Sequence, residues 1–172
     1  ADDSMIFCKS KRAAKRVKES VTRFIEGKLH LKVNRDKTVV SYVQGVKYLG
    51  YSFYVMKGKC QLTVHAKAKA KMKARLKELT SRSNGWGYAK RKQKLEEYIK
   101  GWVGYYHLAN MKRFLIETDE WLRRRLRMCI WKSWKRVKTR VANLVKCGID
   151  KYQAYMWGNS RLGYWRIAGS YI

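Results

Sequence analysis

Asp2 and Asp3 stand side by side in a chain that carries 41 Lys and Arg against 12 Asp and Glu. Adjacent carboxylates just before an apolar stretch, here Met5-Ile6-Phe7, are a common way to hold Mg²⁺ against phosphate. Hard oxygen ligands suit that ion, which takes only one or two carboxylates from the protein. At positions 2 and 3 the pair reads either as an ordinary polar terminus or as a catalytic motif entered partway. Two-metal phosphoryl transfer also needs a further carboxylate from another strand. Asp36 lies in a turn beside Lys37, and Glu78, Glu96 and Glu97 fall on helical faces expected to be solvated, so none is a convincing third ligand. His30, His65 and His107 are isolated. Cys8, Cys60, Cys129 and Cys147 are scattered without a C-x-x-C pair, which indicates neither zinc nor a disulfide framework.

The second chemistry-bearing feature is cationic. Arg123-Arg124-Arg125-Leu126-Arg127 is followed by Lys132, Lys135, Arg136, Lys138 and Arg140. On one continuous helix, residues 123, 127 and 134 lie close to one face, and 124, 131, 135 and 138 form a neighbouring stripe. Arginine forks bind phosphate oxygens bidentately. Trp121, Trp131 and Trp134 interleave with these charges, either to stack on exposed bases or, the commoner role for a tryptophan, to fill a core. Arg161-Leu162-Gly163-Tyr164-Trp165-Arg166 repeats the mixture near the end of the chain. That segment either contacts RNA or caps a helical bundle.

Composition narrows the partners. A net charge of +29 on 172 residues exceeds what solubility requires, and self-repulsion on that scale opposes a compact state unless a polyanion offsets it. Nucleic acid is the natural polyanion, through phosphate contacts and counterion release. The 46% apolar and 13% aromatic content excludes a disordered basic tail, which would have nothing to bury. No apolar run approaches spanning length and no lipidation or secretory signal is evident. The expectation is therefore a cytoplasmic protein with no membrane partner, and its oligomeric state is left open.

The elements that must position these residues are α+β. A short strand is expected over residues 4–7. Ser10 is a plausible N-cap for a helix over 11–28, with Ala14, Val17, Val21, Phe24 and Ile25 on one face. Leu29, Leu31 and Val33 alternate as a strand would, and further strands are expected over 38–42, 47–54 and 61–64. Near Ala66 alternation gives way to helical spacing. Helices follow around Met72-Leu76-Leu79, around Leu95-Tyr98-Ile99-Trp102, and over a long span of roughly 111–137. A shorter helix ends at Gly148, and a last one is capped by Asp150 with Gln153. Gly101 and Gly104 suggest a close helix approach. The chain holds no proline, which permits a bundle, and a boundary falls at about residue 65.

The order of these features resembles group II intron reverse transcriptases/maturases along nearly the whole chain. Ala1-Asp2-Asp3, then Leu31-Lys32-Val33-Asn34 with Lys37-Thr38, then Tyr48-Leu49-Gly50-Tyr51-Ser52-Phe53 are similar to the last palm motifs. Gly101-Trp102-Val103-Gly104-Tyr105-Tyr106, the 122–135 basic stretch and Gly163-Tyr164-Trp165-Arg166-Ile167 are similar to the thumb, or maturase domain. The resemblance implies the C-terminal part of a reverse-transcriptase palm over 1–65 and a thumb/maturase helical domain over 66–172. It implies Asp2 and Asp3 as Mg²⁺ ligands and catalytic residues, with Lys37 assisting pyrophosphate departure. Tyr48, Leu49, Gly50 and Tyr51 would form the primer grip. Arg123, Arg124, Arg127, Lys132, Lys135, Arg136, Arg161 and Arg166 would bind nucleic acid, with intron RNA and a template-primer duplex as partners. The family's fingers, first palm strands and other catalytic aspartate precede its Asp-Asp motif, so this chain alone is expected to be catalytically incomplete. The alternative expectation is a stand-alone RNA-binding splicing helper derived from such an enzyme.

Overall fold

Ser10, extended at φ −145°, accepts a hydrogen bond from the Ala13 N–H and so starts α1 (Lys11–Gly27). The computed structural model describes residues 4–170, and they divide between His65 and Ala66 into two compact units. Together the units give the α+β class expected from the pattern, with seven helices and one three-stranded antiparallel sheet among the described residues.

In the first unit, three expected strands are absent: 4–7, 29–33 and 38–42 have no ladder. Local hydrogen bonds take the backbone groups a ladder would have used. The Leu31 N–H donates back to the Ile25 carbonyl, and Thr38 donates to the Asn34 carbonyl through both its N–H and its hydroxyl. The Asn34 side chain accepts from the Lys37 N–H, an Asx-type turn that competes with strand pairing. The alternating apolar pattern is real, but alternation alone supplies no partner strand.

The 47–54 stretch is also not one strand. It folds into β1 (Lys47–Tyr48) and β2 (Tyr51–Met56), joined by Leu49 and Gly50 at φ 48° and 82°. Two successive positive φ values give the turn twist that matches paired strands. The next turn repeats it at Lys57 and Gly58, φ 51° and 73°, leading into β3 (Lys59–Val64). Register runs Tyr48 to Tyr51, Tyr51 to Val64 and Met56 to Lys59. The His65 N–H donates to the Gly50 carbonyl and closes the sheet end, while Phe7 sets its ring edge-on to Phe53 at 6.0 Å.

The second unit is helical. Met72, Leu76 and Leu79 of α2 (Ala66–Leu79) pack with Leu95 of α3 (Tyr88–Tyr105) and Leu122 of α4 (Lys112–Ser133). Trp102, Phe114 and Trp121 surround that core. A second core joins Trp131 to Leu144 of α5 (Val137–Lys146), Ala154 of α6 (Lys151–Gly158) and Ile167 of α7 (Tyr164–Ile167). Gly148 takes φ 87° just past α5, as a C′ residue should. Asp150 accepts from the Tyr152 and Gln153 N–H groups at the start of α6.

Two expectations need correction here. The long helix stops at Ser133 rather than near 137, because Trp134 leaves helical geometry (ψ 76°) to pack with Trp131 in the second core. Val137 then opens a new helix and is exposed. The glycines of α3 do not mediate close packing either. A Cβ built at Gly101 or Gly104 would meet nothing within 4 Å, whereas one at Gly158 would lie 2.7 Å from Val141 Cγ2. The tight helix approach is thus between α5 and α6.

Gly101→Ala should therefore stabilise the protein by about 0.5–1 kcal/mol, since only the helix-propensity cost of glycine is removed. Gly158→Ala should destabilise it by about 1–3 kcal/mol through overpacking. Urea midpoints of the two variants check both signs, and a destabilising Gly101→Ala would restore the close-approach reading.

Candidate nucleic-acid interface

A cation serves as a phosphate ligand only if its donors are not already spent inside the protein. The C-terminal end of α2 decides this for several of them. A helix leaves its last carbonyls without intrahelical partners, and here nearly every one is accounted for. Leu76 O accepts from the N–H and hydroxyl of buried Thr80, Glu78 O from the Ser81 N–H, and Leu79 O from the Asn84 amide. The remaining α2 carbonyl, Lys77 O, and those of the turn that follows fall to cations. Arg125 reaches Lys77 O at 3.1 Å and Thr80 O at 3.2 Å, while its Nε donates to Thr80 Oγ1 at 2.6 Å. Buried Arg91 donates to Ser81 O and to Asn84 Oδ1, and Lys132 donates to Arg82 O at 2.8 Å. Cys129 adds a thiol donor to Thr80 O.

Burial pulls the Arg125 guanidinium below its ordinary value, though an arginine stays charged across the accessible range. The Cys129 thiol is pushed up by burial, against the pull of Arg91, Arg125 and Lys132. The neutral thiol is the form that can donate to Thr80 O, so this residue has the chemistry of a packed donor rather than a nucleophile.

The same device recurs at the other helix ends. Arg124 donates to Trp165 O through Nε and Nη2, and its guanidinium lies 4.1 Å from the Trp165 ring centroid. A Cβ at Gly169 would lie 2.4 Å from that guanidinium, so glycine there leaves room for the fork. Arg127 donates to Ala168 O at 3.0 Å. Arg140 holds Trp134 O at 2.9 Å and Gly158 O at 3.4 Å, and lies over Trp131. Each fork places positive charge at the electronegative end of a helix.

The residues expected to bind nucleic acid therefore divide. Arg124, Arg127 and Lys132 each hold a carbonyl, Arg124 through two nitrogens and Arg127 and Lys132 through one, so all three keep further N–H donors. Arg123 makes an exposed i,i+4 ion pair with Asp119 at 2.7 Å, a pair water readily replaces. Lys135, Arg136, Arg161 and Arg166 are exposed, with no side-chain hydrogen bond or ion pair among the described residues. The stripe is not continuous, because Lys135 and Arg136 lie between α4 and α5 and Lys138 is on α5. Trp131 is buried, and Trp121 and Trp134 pack against the cores, so these rings fill the interior.

In the first unit, Asp2 and Asp3 lie outside the described residues. Lys37 is exposed at the end of the Asn34 turn. Tyr48, Leu49, Gly50 and Tyr51 are brought together on the β1–β2 hairpin, with Leu49 exposed at the turn. Among the described residues no group of three or more His, Cys, Asp or Glu could hold a metal ion, and no helix is long and apolar enough to cross a membrane.

Sequence reasoning passed over Arg91 and Arg125, although a signal existed. Arg125 shares a helical face with Leu122 and Cys129, and Arg91 stands four residues before Leu95. An arginine on an apolar face must find partners when buried.

Residues 69–148 match the family model described as group II intron, maturase-specific domain. The match covers α3, α4 and α5 and most of α2, and so includes most of the forks just described. It supports reading the chain as a C-terminal part of a group II intron maturase. No curated protein matches the chain.

Arg125→Met should lower stability by about 2–3 kcal/mol, since buried acceptors lose a charged donor. Arg125→Lys should not restore it, because one ammonium cannot span three acceptors. Arg123→Ala should leave stability within about 0.5 kcal/mol. Denaturant unfolding of the three variants checks the contrast, and equal effects from Arg123 and Arg125 would contradict the division.

Proposed function

We propose that this chain, whose residues 69–148 carry a group II intron maturase-specific domain, is the C-terminal part of a group II intron reverse transcriptase/maturase. It binds intron RNA to assist splicing and holds template-primer duplex during RNA-templated DNA synthesis. The family match is the observation that carries this reading. The surplus of cations left over after the helix ends are served supports it, because Lys135, Arg136, Arg161 and Arg166 remain exposed for phosphate.

Under this reading the second unit acts on RNA mainly through backbone contacts. A-form duplex hides its base edges in a deep major groove, so a helical surface reads its shape, phosphates and 2′-hydroxyls. The hairpin holding Tyr48, Leu49, Gly50 and Tyr51 is suited to a primer grip: a two-residue turn fixed by positive φ values is a rigid support for a strand end. Lys37, on an exposed turn, is free to meet a pyrophosphate.

Mg²⁺ belongs to the complete polymerase, with Asp2 and Asp3 as its ligands. Among the described residues no group of three or more His, Cys, Asp or Glu could hold the ion. The family's site also draws on an aspartate and strands that the resemblance does not locate in this chain. The isolated chain should accordingly extend no primer on an RNA template in Mg²⁺, and measurable synthesis would overturn that expectation.

Replacing Lys135, Arg136, Arg161 and Arg166 together with Ala should weaken RNA binding without moving the thermal midpoint. The slope of log affinity against log salt should flatten by roughly 0.7–0.9 for each phosphate that is no longer neutralised. An unchanged slope would remove these residues from the interface. The variant avoids Arg124, Arg127 and Lys132, whose replacement would disturb the fold as well.

A further inference from the structure

Helix α6 has two faces, and its outer one is the wrong composition for water. Ala154 and Gly158 are buried, and Gln153 and Trp157 are half-buried, on the side that packs inward. The opposite side presents Lys151, Tyr152, Tyr155, Met156 and Asn159, all exposed. Tyr152 is 72% exposed, Tyr155 60% and Met156 52%. At spacings of three and four residues these side chains are neighbours on the helix surface. Neither tyrosine ring has an aromatic partner, and neither hydroxyl has a hydrogen bond among the described residues. A surface helix normally turns one apolar stripe to the core and polar residues to solvent. This one keeps aromatic surface on both sides, which marks the outer face as a contact surface.

The surrounding charge selects the occupant. Over residues 138–170 the cations are Lys138, Arg140, Lys146, Lys151, Arg161 and Arg166, of which Arg140 is committed to carbonyls, and the sole acid is Asp150. Asp150 is already committed to capping α6. Lys151 stands four residues before Tyr155, one turn away on the same face. Flat aromatic rings with Lys151 on the same face, in a segment where cations outnumber acids, match a strand that offers bases to stack and phosphates to pair. A second protein would have to bring acid to this patch, and a duplex keeps its bases inside.

We infer that Tyr152 and Tyr155 on the outer face of α6 form a stacking platform for unpaired nucleotides of RNA, with Lys151 supplying a phosphate contact. The site lies outside the 69–148 segment matched to the maturase-specific domain. It rests on the RNA-binding reading above and adds to it a preference for single-stranded over duplex regions. The rings bind any base, because every base has a π-face.

The test compares the full chain with Tyr152→Ala/Tyr155→Ala and with Tyr152→Phe/Tyr155→Phe. Affinity is measured for an unstructured adenine homopolymer RNA and for a blunt RNA duplex of equal length, each across a salt series. The Ala pair should lose about ten-fold or more affinity for the single strand, keep its affinity for the duplex, and keep the salt slope, since no charge is removed. The Phe pair should behave like the parent chain. An unchanged single-strand affinity in the Ala pair, or an equal loss on both RNAs, would overturn the platform while leaving the RNA-binding reading intact. A parent chain that binds neither RNA would overturn both. Concentration-dependent self-association that the Ala pair abolishes would overturn the platform in favour of an interface between copies of the chain.

Discussion

The second unit depends on arginine forks at helix ends. A bundle of short helices multiplies C-termini, and each leaves carbonyls that must be paired once buried. Beside local caps such as the Asn84 amide on Leu79 O, this chain solves the problem at long range. Arg125 of α4 finishes α2, Arg124 and Arg127 of α4 finish α7, and Arg140 of α5 secures the break after α4 and the end of α6. One helix thus terminates two others, and α4 becomes the organising element of the unit. The forks also explain why α4 can stop at Ser133: Arg140 takes the Trp134 carbonyl that a longer helix would have used.

That arrangement changes the meaning of the charge. A net +29 invites the view that every cation is an RNA ligand. Several of the most conspicuous ones also hold carbonyls of the protein, and each guanidinium placed at a carbonyl end is a favourable use of positive charge in a folded chain. Among the cations expected to bind nucleic acid, those left for a polyanion include Lys135, Arg136, Arg161 and Arg166, which lie between helices or toward the end of the chain. Under the RNA-binding proposal these flanking cations join Arg123 as phosphate contacts. The aromatic outer face of α6 lies in the same part of the sequence.

Much of this is legible in the amino-acid sequence. The α+β class, the helix begun by Ser10, the helix start at Ala66, the Gly148 terminus and the Asp150 cap all follow from local side-chain chemistry. The strands expected over 29–33 and 38–42 do not form, because alternation reports a face to bury and says nothing about a partner. The break at Trp134 is hidden for a similar reason: the basic run continues through it in helical register, and the hydrogen bond that stabilises the break comes from Arg140, six residues on. Within the basic cluster, residue types point to cations of the right chemistry and cannot separate forks from free charges. Helical register does hold the clue, in the placement of Arg125 beside Leu122 and Cys129.

The division of the arginines can be observed directly by nitrogen-resolved NMR of their Nε–H groups, with and without RNA. Arg124, Arg125, Arg127 and Arg140 each donate an Nε–H inside the protein. Their signals should exchange slowly with water, ignore added salt and hold their positions when RNA is added. Those of Arg136, Arg161 and Arg166 should exchange fast and shift on binding. Fast exchange from the first four, or RNA-induced shifts as large in that set as in the second, would contradict the account.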